Sequence, residues 1–223
     1  IDLSTGINRV AWPVPDLPAS AWTDLPTASA KTALLEAAAQ AFGTQAPGVA
    51  LAGAQQAIQL IPRLTLPGRA RVLGPTYNEH AASLRAAGWQ VEEVGTLGAL
   101  AGADLAVVVN PNNPDGQRHP AAALRALSLQ VGRLVVDESF ADAAPDASLV
   151  AKASRRILVL RSFGKFYGLA GLRLGFVYGD AATVAALAEM AGPWPVSGAA
   201  LEVGRRALLV RNWAMATALR LGA

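Results

Sequence analysis

Short apolar runs that end on polar residues constrain this chain most. Val107-Val108-Val109 runs into Asn110, Leu134-Val135-Val136 into Asp137, and Val159-Leu160 into Arg161-Ser162. Runs this short and continuous read as strands buried on both faces, and amphipathic stretches lie between them. The pattern predicts helices over 32–42, 55–64, 79–87, 121–129, 181–191 and 198–221. It predicts strands over 49–51, 70–73, 90–94, 105–110, 133–137, 157–162 and 172–178. Such alternation implies an α/β fold, with a mainly parallel central sheet and helices on both faces. Open sheets of this kind bind ligands outside the carboxyl ends of their strands. Asn110, Asp137, Ser162 and the nearby Lys165 are therefore expected on one rim, as the active site.

Composition narrows the choices of function. Apolar residues make up 52% of the 223, enough for a sizeable core. The net charge is +3, and the basic residues are scattered without interleaved aromatics, which argues against a nucleic-acid surface. The absence of cysteine excludes disulfides, thiolate metal sites and cysteine nucleophiles, and fits a cytoplasmic setting. No apolar run is long enough to span a bilayer, so no membrane partner is expected. His80 and His119 stand apart from any carboxylate cluster with ligand spacing, and no metal site is expected. The stretch 1–30, rich in Pro and Trp, reads as an irregular arm. Residues 31–195 read as the large domain, and 196–223 as the start of a helix leading towards a smaller one. Ile1 opens the chain without an initiator Met and without a signal-peptide pattern.

The most informative segment is Ser162-Phe163-Gly164-Lys165-Phe166-Tyr167-Gly168-Leu169-Ala170-Gly171-Leu172-Arg173-Leu174-Gly175. One lysine sits in a glycine-rich loop, with a hydroxyl three residues before it and an arginine eight after. Ser162 and Arg173 can hold a phosphate through charge-assisted bonds, and a lysine shielded from water becomes a nucleophile for carbonyls. Taken alone, Lys165 would be read as a solvated side chain. A phosphate-binding P-loop is excluded, because Phe166 follows the lysine where Ser or Thr is required. Ser162-x-x-Lys165 also matches the nucleophile motif of penicillin-binding enzymes, but their S-D-N and K-T-G triplets are missing.

This segment resembles the cofactor-lysine signature of the class I and II aminotransferases, enzymes of pyridoxal phosphate (PLP) fold type I. Asn110-Pro111-Asn112-Asn113-Pro114-Asp115-Gly116 is similar to the same superfamily's N-P-N-N-P-[TD]-G turn, and both motifs occur in the expected order. The resemblance implies that Lys165 carries the PLP cofactor as a Schiff base, and that Asp137 pairs with its ring nitrogen. It further implies that Asn113 bonds the ring hydroxyl and that Tyr77 stacks on the ring. Ala54 and Gln55 would offer backbone N–H groups at a helix start to the cofactor phosphate, with Ser162 and Arg173 completing the cup. Phe140 stands where these aminotransferases usually carry Tyr, so a second bond to the ring hydroxyl would be lacking.

Within the superfamily, Asp2-Leu3-Ser4-Thr5-Gly6-Ile7-Asn8, the stretch from Leu73 to His80 and Asp137-Glu138-Ser139-Phe140 look most like the threonine-phosphate decarboxylases. Those enzymes convert L-threonine O-3-phosphate to (R)-1-aminopropan-2-yl phosphate for cobalamin biosynthesis. A small phosphorylated amino acid is the substrate this implies, with Gly6 and Asn8 of the arm touching it, and a homodimer is the implied assembly. The alternatives are an aminotransferase of histidinol-phosphate type and a shortened, non-catalytic PLP-binding scaffold. Relatives draw their substrate-carboxylate arginine from the small domain. Arg205, Arg206, Arg211 and Arg220 are expected to be ordinary helix-surface residues.

Overall fold

The computed structural model describes residues 5–222; Ile1, Asp2, Leu3 and Ser4 of the arm, and Ala223, lie outside the described residues. In chain order its elements are α1 (Ser20–Thr23), α2 (Ala28–Phe42), β1 (Gly48–Leu51), α3 (Gly53–Leu60), β2 (Arg69–Leu73), α4 (Glu79–Ala86) and β3 (Gln90–Val94). There follow β4 (Leu105–Val109), α5 (Ala121–Ser128), β5 (Arg133–Asp137), β6 (Ile157–Ser162), α6 (Phe163–Phe166) and β7 (Gly175–Tyr178). The chain closes with α7 (Ala181–Ala191), α8 (Gly198–Leu209) and α9 (Arg211–Gly222). Among the described residues the strands form one sheet in the order β1-β7-β6-β5-β4-β2-β3. The block from β3 to β6 is parallel. Only β7 is reversed, pairing antiparallel with both β6 and β1.

Successive residues of a strand face opposite sides of the sheet, and that alternation sorts the core into two layers. Ala106, Val108, Leu134, Val136, Ile157 and Val159 pack with α2, α5 and α8 on one face. Leu105, Val107, Val135, Leu158 and Leu160 pack with α3, α4 and α7 on the other. Residues of the second parity at the strand ends, Val109, Asp137 and Ser162, therefore emerge on the α3–α4 side. This places the site.

Element ends follow local chemistry. Helix α2 starts at Ala28, earlier than the apolar pattern indicates, because Thr27 Oγ1 accepts a hydrogen bond from the Ala30 N–H at 3.2 Å. Gly43 ends it in the left-handed conformation, φ 66°. Asp180 and Ser197 cap α7 and α8 in the same way as Thr27.

Three expectations are corrected. The strand expected over 172–178 is only β7, because Ala170–Leu172 forms a 3-10 turn and Arg173 is left-handed at φ 52°. The single helix expected over 198–221 is two, broken at the β-branched Val210. That break turns α9 so that Trp213 stacks on Tyr167, with ring centroids 5.4 Å apart. The arm, expected to be irregular over 1–30, contains the one-turn helix α1 and runs into α2 at Ala28.

The arm lies over the body and is fastened to the loop after β6. Trp12 is buried, and its N–H donates to the Tyr167 carbonyl at 2.9 Å. Asn8 N–H donates to the Lys165 carbonyl, also at 2.9 Å. Gly168 is needed at the crossing: its φ is +67°, and a Cβ there would stand 2.7 Å from the Asn8 carbonyl oxygen.

Candidate active site

Strand parity and the α3 start bring the expected cofactor residues to one cavity. Asp137 and Ser162 come from the ends of β5 and β6, Lys165 from α6, and Arg173 from the turn before β7. Ala54 and Gln55 come from the first turn of α3, and Tyr77, Asn113 and Phe140 from the loops after β2, β4 and β5. All of these residues line the cavity, together with Gly53, Val109 and Ser139.

At its inner end Asp137 is buried and bonded through both oxygens. Oδ1 accepts from the Ser139 N–H at 2.9 Å and from Ser139 Oγ at 2.5 Å. Oδ2 lies 2.9 Å from His80 Nε2. Burial alone would raise the Asp137 carboxyl, but the bond and charge of His80, with the Ser139 bonds, outweigh it and hold the group below its ordinary value. With Asp137 ionised, His80 Nε2 carries the proton and donates. The result is a buried carboxylate suited to a cationic N–H of an aromatic ring. His80, to which the sequence reading gave no role, thus supports the Asp137 carboxylate. Helical spacing would have linked it to Tyr77, but its partner is distant in sequence.

The opposite end is built for an anion. Helix α3 has no side-chain cap, and the Gln56 side chain instead takes the N–H of Ala52, the residue before the helix, at 2.7 Å. The first-turn N–H groups therefore remain for a ligand. Gly53 is left-handed at φ +78°, and a Cβ there would stand 2.7 Å from Arg173 Nη2. The missing side chain is what lets the guanidinium reach the helix start. Arg173 Nη1 donates to the Ala170 carbonyl at 3.0 Å, which fixes its direction.

On the rim, Tyr77 Oη donates to Gln55 Oε1 at 3.3 Å, and the ring meets His80 edge-on at 6.4 Å. Partial burial, with Glu79 and Asp137 nearby, raises the Tyr77 hydroxyl above its ordinary value. Asn112, which carried no role in the sequence reading, ties the two rim loops together. Its Oδ1 accepts from Thr76 Oγ1 at 2.6 Å, and its Nδ2 donates to the Pro75 carbonyl at 3.0 Å. Lys165 Nζ lies 5.7 Å from the Phe140 ring centre, and Gly6 of the arm presses on the same ring.

One residue expected on the rim, Asn110, is elsewhere, and Arg161, which precedes Ser162 at the end of β6, also turns away. Asn110 has the opposite parity to Val109. Its amide clamps the returning chain, accepting from the His119 N–H at 2.8 Å and donating to the His119 carbonyl at 3.1 Å. Arg161 likewise points to the α2 face, buried against the Phe42 ring and paired with Glu138 at 3.1 Å and Asp142 at 2.9 Å. Arg220 is exposed on the surface of α9, as expected. Its Nη2 donates to Asn8 Oδ1 at 3.0 Å, and it borders a groove that opens beside Lys165. Gly6 and Asn8 line that groove rather than the cavity.

The sheet order, the buried carboxylate and the lysine-bearing loop define a class, and the chain belongs to it. Residues 15–212 match the family Aminotransferase class I and II. The chain is 45% identical over 220 residues to the threonine-phosphate decarboxylase of Pseudomonas aeruginosa, covering 95% of this chain and 66% of that protein. It is 42% identical over 214 residues to the threonine-phosphate decarboxylase of a Sinorhizobium species, covering 92% and 64%. The chain thus spans just under two thirds of the length of these curated relatives. Its fold matches the histidinol-phosphate aminotransferase of Sinorhizobium meliloti, a structure in complex with pyridoxal-5'-phosphate, with TM-score 0.77, 23% identity, and coverage of 88% and 59%. No helix among the described residues is long and apolar enough to cross a membrane.

Proposed function

We propose that this chain carries the cofactor-binding part of a PLP-dependent threonine-phosphate decarboxylase, the enzyme that supplies (R)-1-aminopropan-2-yl phosphate for cobalamin biosynthesis. The observation that carries the reading is the single cavity that joins Lys165, a buried ionised Asp137 and an anion cup at the α3 start. The identity to two threonine-phosphate decarboxylases supports the choice of reaction. Residues 31–195 would be the cofactor-binding domain, 1–30 the arm, and 196–223 the passage towards a smaller domain. A cytoplasmic homodimer completes the reading by resemblance alone.

The residues fit the cofactor. The space that a Gly53 Cβ would fill is occupied by the Arg173 guanidinium, which makes an N–H-lined cradle suited to a phosphate. The far end offers a carboxylate held ionised despite burial, suited to a pyridinium N–H. PLP, when bound, supplies an electron-accepting ring that takes up the electron pair released from a bond at the substrate α-carbon. Asp137, supported by His80 and Ser139, would hold a proton on the ring nitrogen. Ser162, Arg173 and the Ala54 and Gln55 amides would hold the phosphate, and Asn113 would bond the ring hydroxyl. Lys165 would hold the cofactor and is the group placed to return a proton to the substrate α-carbon once carbon dioxide has left.

Incubating the PLP-loaded protein with L-threonine O-3-phosphate tests the reaction. Carbon dioxide release without a keto acid is expected. Glutamate formation dependent on the amino donor and 2-oxoglutarate would assign an aminotransferase instead, and neither product would leave a PLP-binding scaffold.

A further inference from the structure

A groove of about 540 Å³ opens on the arm side of Lys165 and shares Lys165, Phe140, Asn113 and Ser139 with the cofactor cavity. Arg9, Arg118 and Arg220 border it, and among the described residues no Asp or Glu does. The cup arginine, Arg173, lines the cavity but not the groove, so Lys165 stands between two cationic regions.

Two of the groove arginines are carried by anchored segments, and that of Arg220 is tied to the Lys165 loop. Arg220 bonds Asn8 Oδ1 at 3.0 Å. Asn8 in turn donates from its backbone to the Lys165 carbonyl at 2.9 Å and from Nδ2 to the Phe166 carbonyl at 2.8 Å. Arg118 precedes His119, whose backbone is clamped on both sides by the buried Asn110. Its guanidinium makes no ion pair among the described residues. The backbone is fixed while the charged head is left for a ligand.

We propose that Arg118 and Arg220 form an anion subsite for the phosphate end of the substrate, distinct from the cofactor's phosphate cup. The inference deepens the reading given above and rests on Lys165 as the reacting centre. Guanidinium forks match the oxygens of a phosphate monoester, and two of them suit its double charge better than a single carboxylate. Placed in the groove, the phosphate lies away from the bonds that react at Lys165. Its binding then orients the amino-acid end without taking part in the chemistry.

Calorimetric titration of the cofactor-free protein with inorganic phosphate provides the first test. Two sites are expected. R118Q and R220Q should each weaken one site about tenfold, the loss of one charge-assisted bond, and leave the other intact. R173Q should do the reverse, and R118K and R220K should restore part of the loss. The second test compares O-phospho-L-threonine with L-threonine on the PLP-loaded protein, by the change in visible absorption. The phosphorylated ligand should bind tighter, and R118Q or R220Q should remove about tenfold of that preference without weakening L-threonine. A single phosphate site lost only in R173Q, unchanged preference in both variants, or an equal effect of R125Q on α5 would overturn the subsite. Two phosphate sites without a Lys165-dependent absorption band would sink the cofactor reading while the subsite stands.

Discussion

His80 Nε2 lies 2.9 Å from Asp137 Oδ2, and both side chains are buried. The histidine comes from the first turn of α4 and the carboxylate from the end of β5, so the fold itself builds the pair. The pair, with Ser139, reverses the effect of burial and holds the Asp137 carboxyl below its ordinary value. A folded-state value below the unfolded one means that this interaction stabilises the chain at neutral pH. Its contribution fades as the pH falls through the folded value. His80→Leu removes the partner and leaves desolvation to raise the carboxyl. The acid limit of PLP binding, followed by visible absorption against pH, should therefore move to higher pH. An unmoved limit would mean that His80 does not set the charge of Asp137.

Phe140→Tyr places a hydroxyl next to Lys165 and the ring hydroxyl expected near Asn113. A donor there favours the deprotonated form of the bound chromophore. Its visible-band titration should shift to lower pH than in the parent protein, with the far-ultraviolet circular dichroism unchanged. A shift upward would contradict the placement of Phe140 beside the ring.

Gly53→Ala puts a Cβ 2.7 Å from Arg173 Nη2 at a backbone φ of +78°. Both the strain and the displaced guanidinium act on the phosphate cup. PLP should bind about tenfold or more weakly, a loss of ~1.4 kcal/mol or more. Equilibrium titration of the cofactor measures this. Unchanged affinity would show that Arg173 does not need to approach the helix start.

Arg161→Met tests the buried charge cluster behind the sheet. Arg161 pairs with Glu138 and Asp142, whose carboxyls burial holds above their ordinary values against the opposing pull of the guanidinium. Removing one partner of such a cluster costs about 3–5 kcal/mol. Urea unfolding should show that loss. A loss below ~1 kcal/mol would mean that the two carboxylates take up protons or water at little cost.

Much of this was legible in the residues. The apolar runs indicated the parallel block because their length and continuity match buried strands, the run ending on Asp137 put that carboxylate at a strand end, and the resemblance pointed to residues that line one cavity. Asn110 was misplaced because a run of residues ending on a polar one does not say which face the last side chain takes. Counting parity from Asp137 would have turned it away. The bond from His80 to Asp137 and that from Arg220 to Asn8 join residues far apart in sequence, and no local pattern carries them. Helix α9 was merged with α8 because periodicity runs through Val210, while the stacking of Trp213 on Tyr167 is a tertiary contact.

The most direct test of the central claim uses the chain's small number of lysines, Lys31, Lys152 and Lys165. The protein is loaded with PLP, reduced with borohydride to fix any lysine linkage, digested, and mapped by mass spectrometry. The added pyridoxyl-phosphate mass is predicted on the peptide containing Lys165, and it should be absent from that peptide after Lys165→Ala. The mass on Lys31 or Lys152 alone, or no stoichiometric addition, would contradict the assignment of Lys165 as the cofactor lysine.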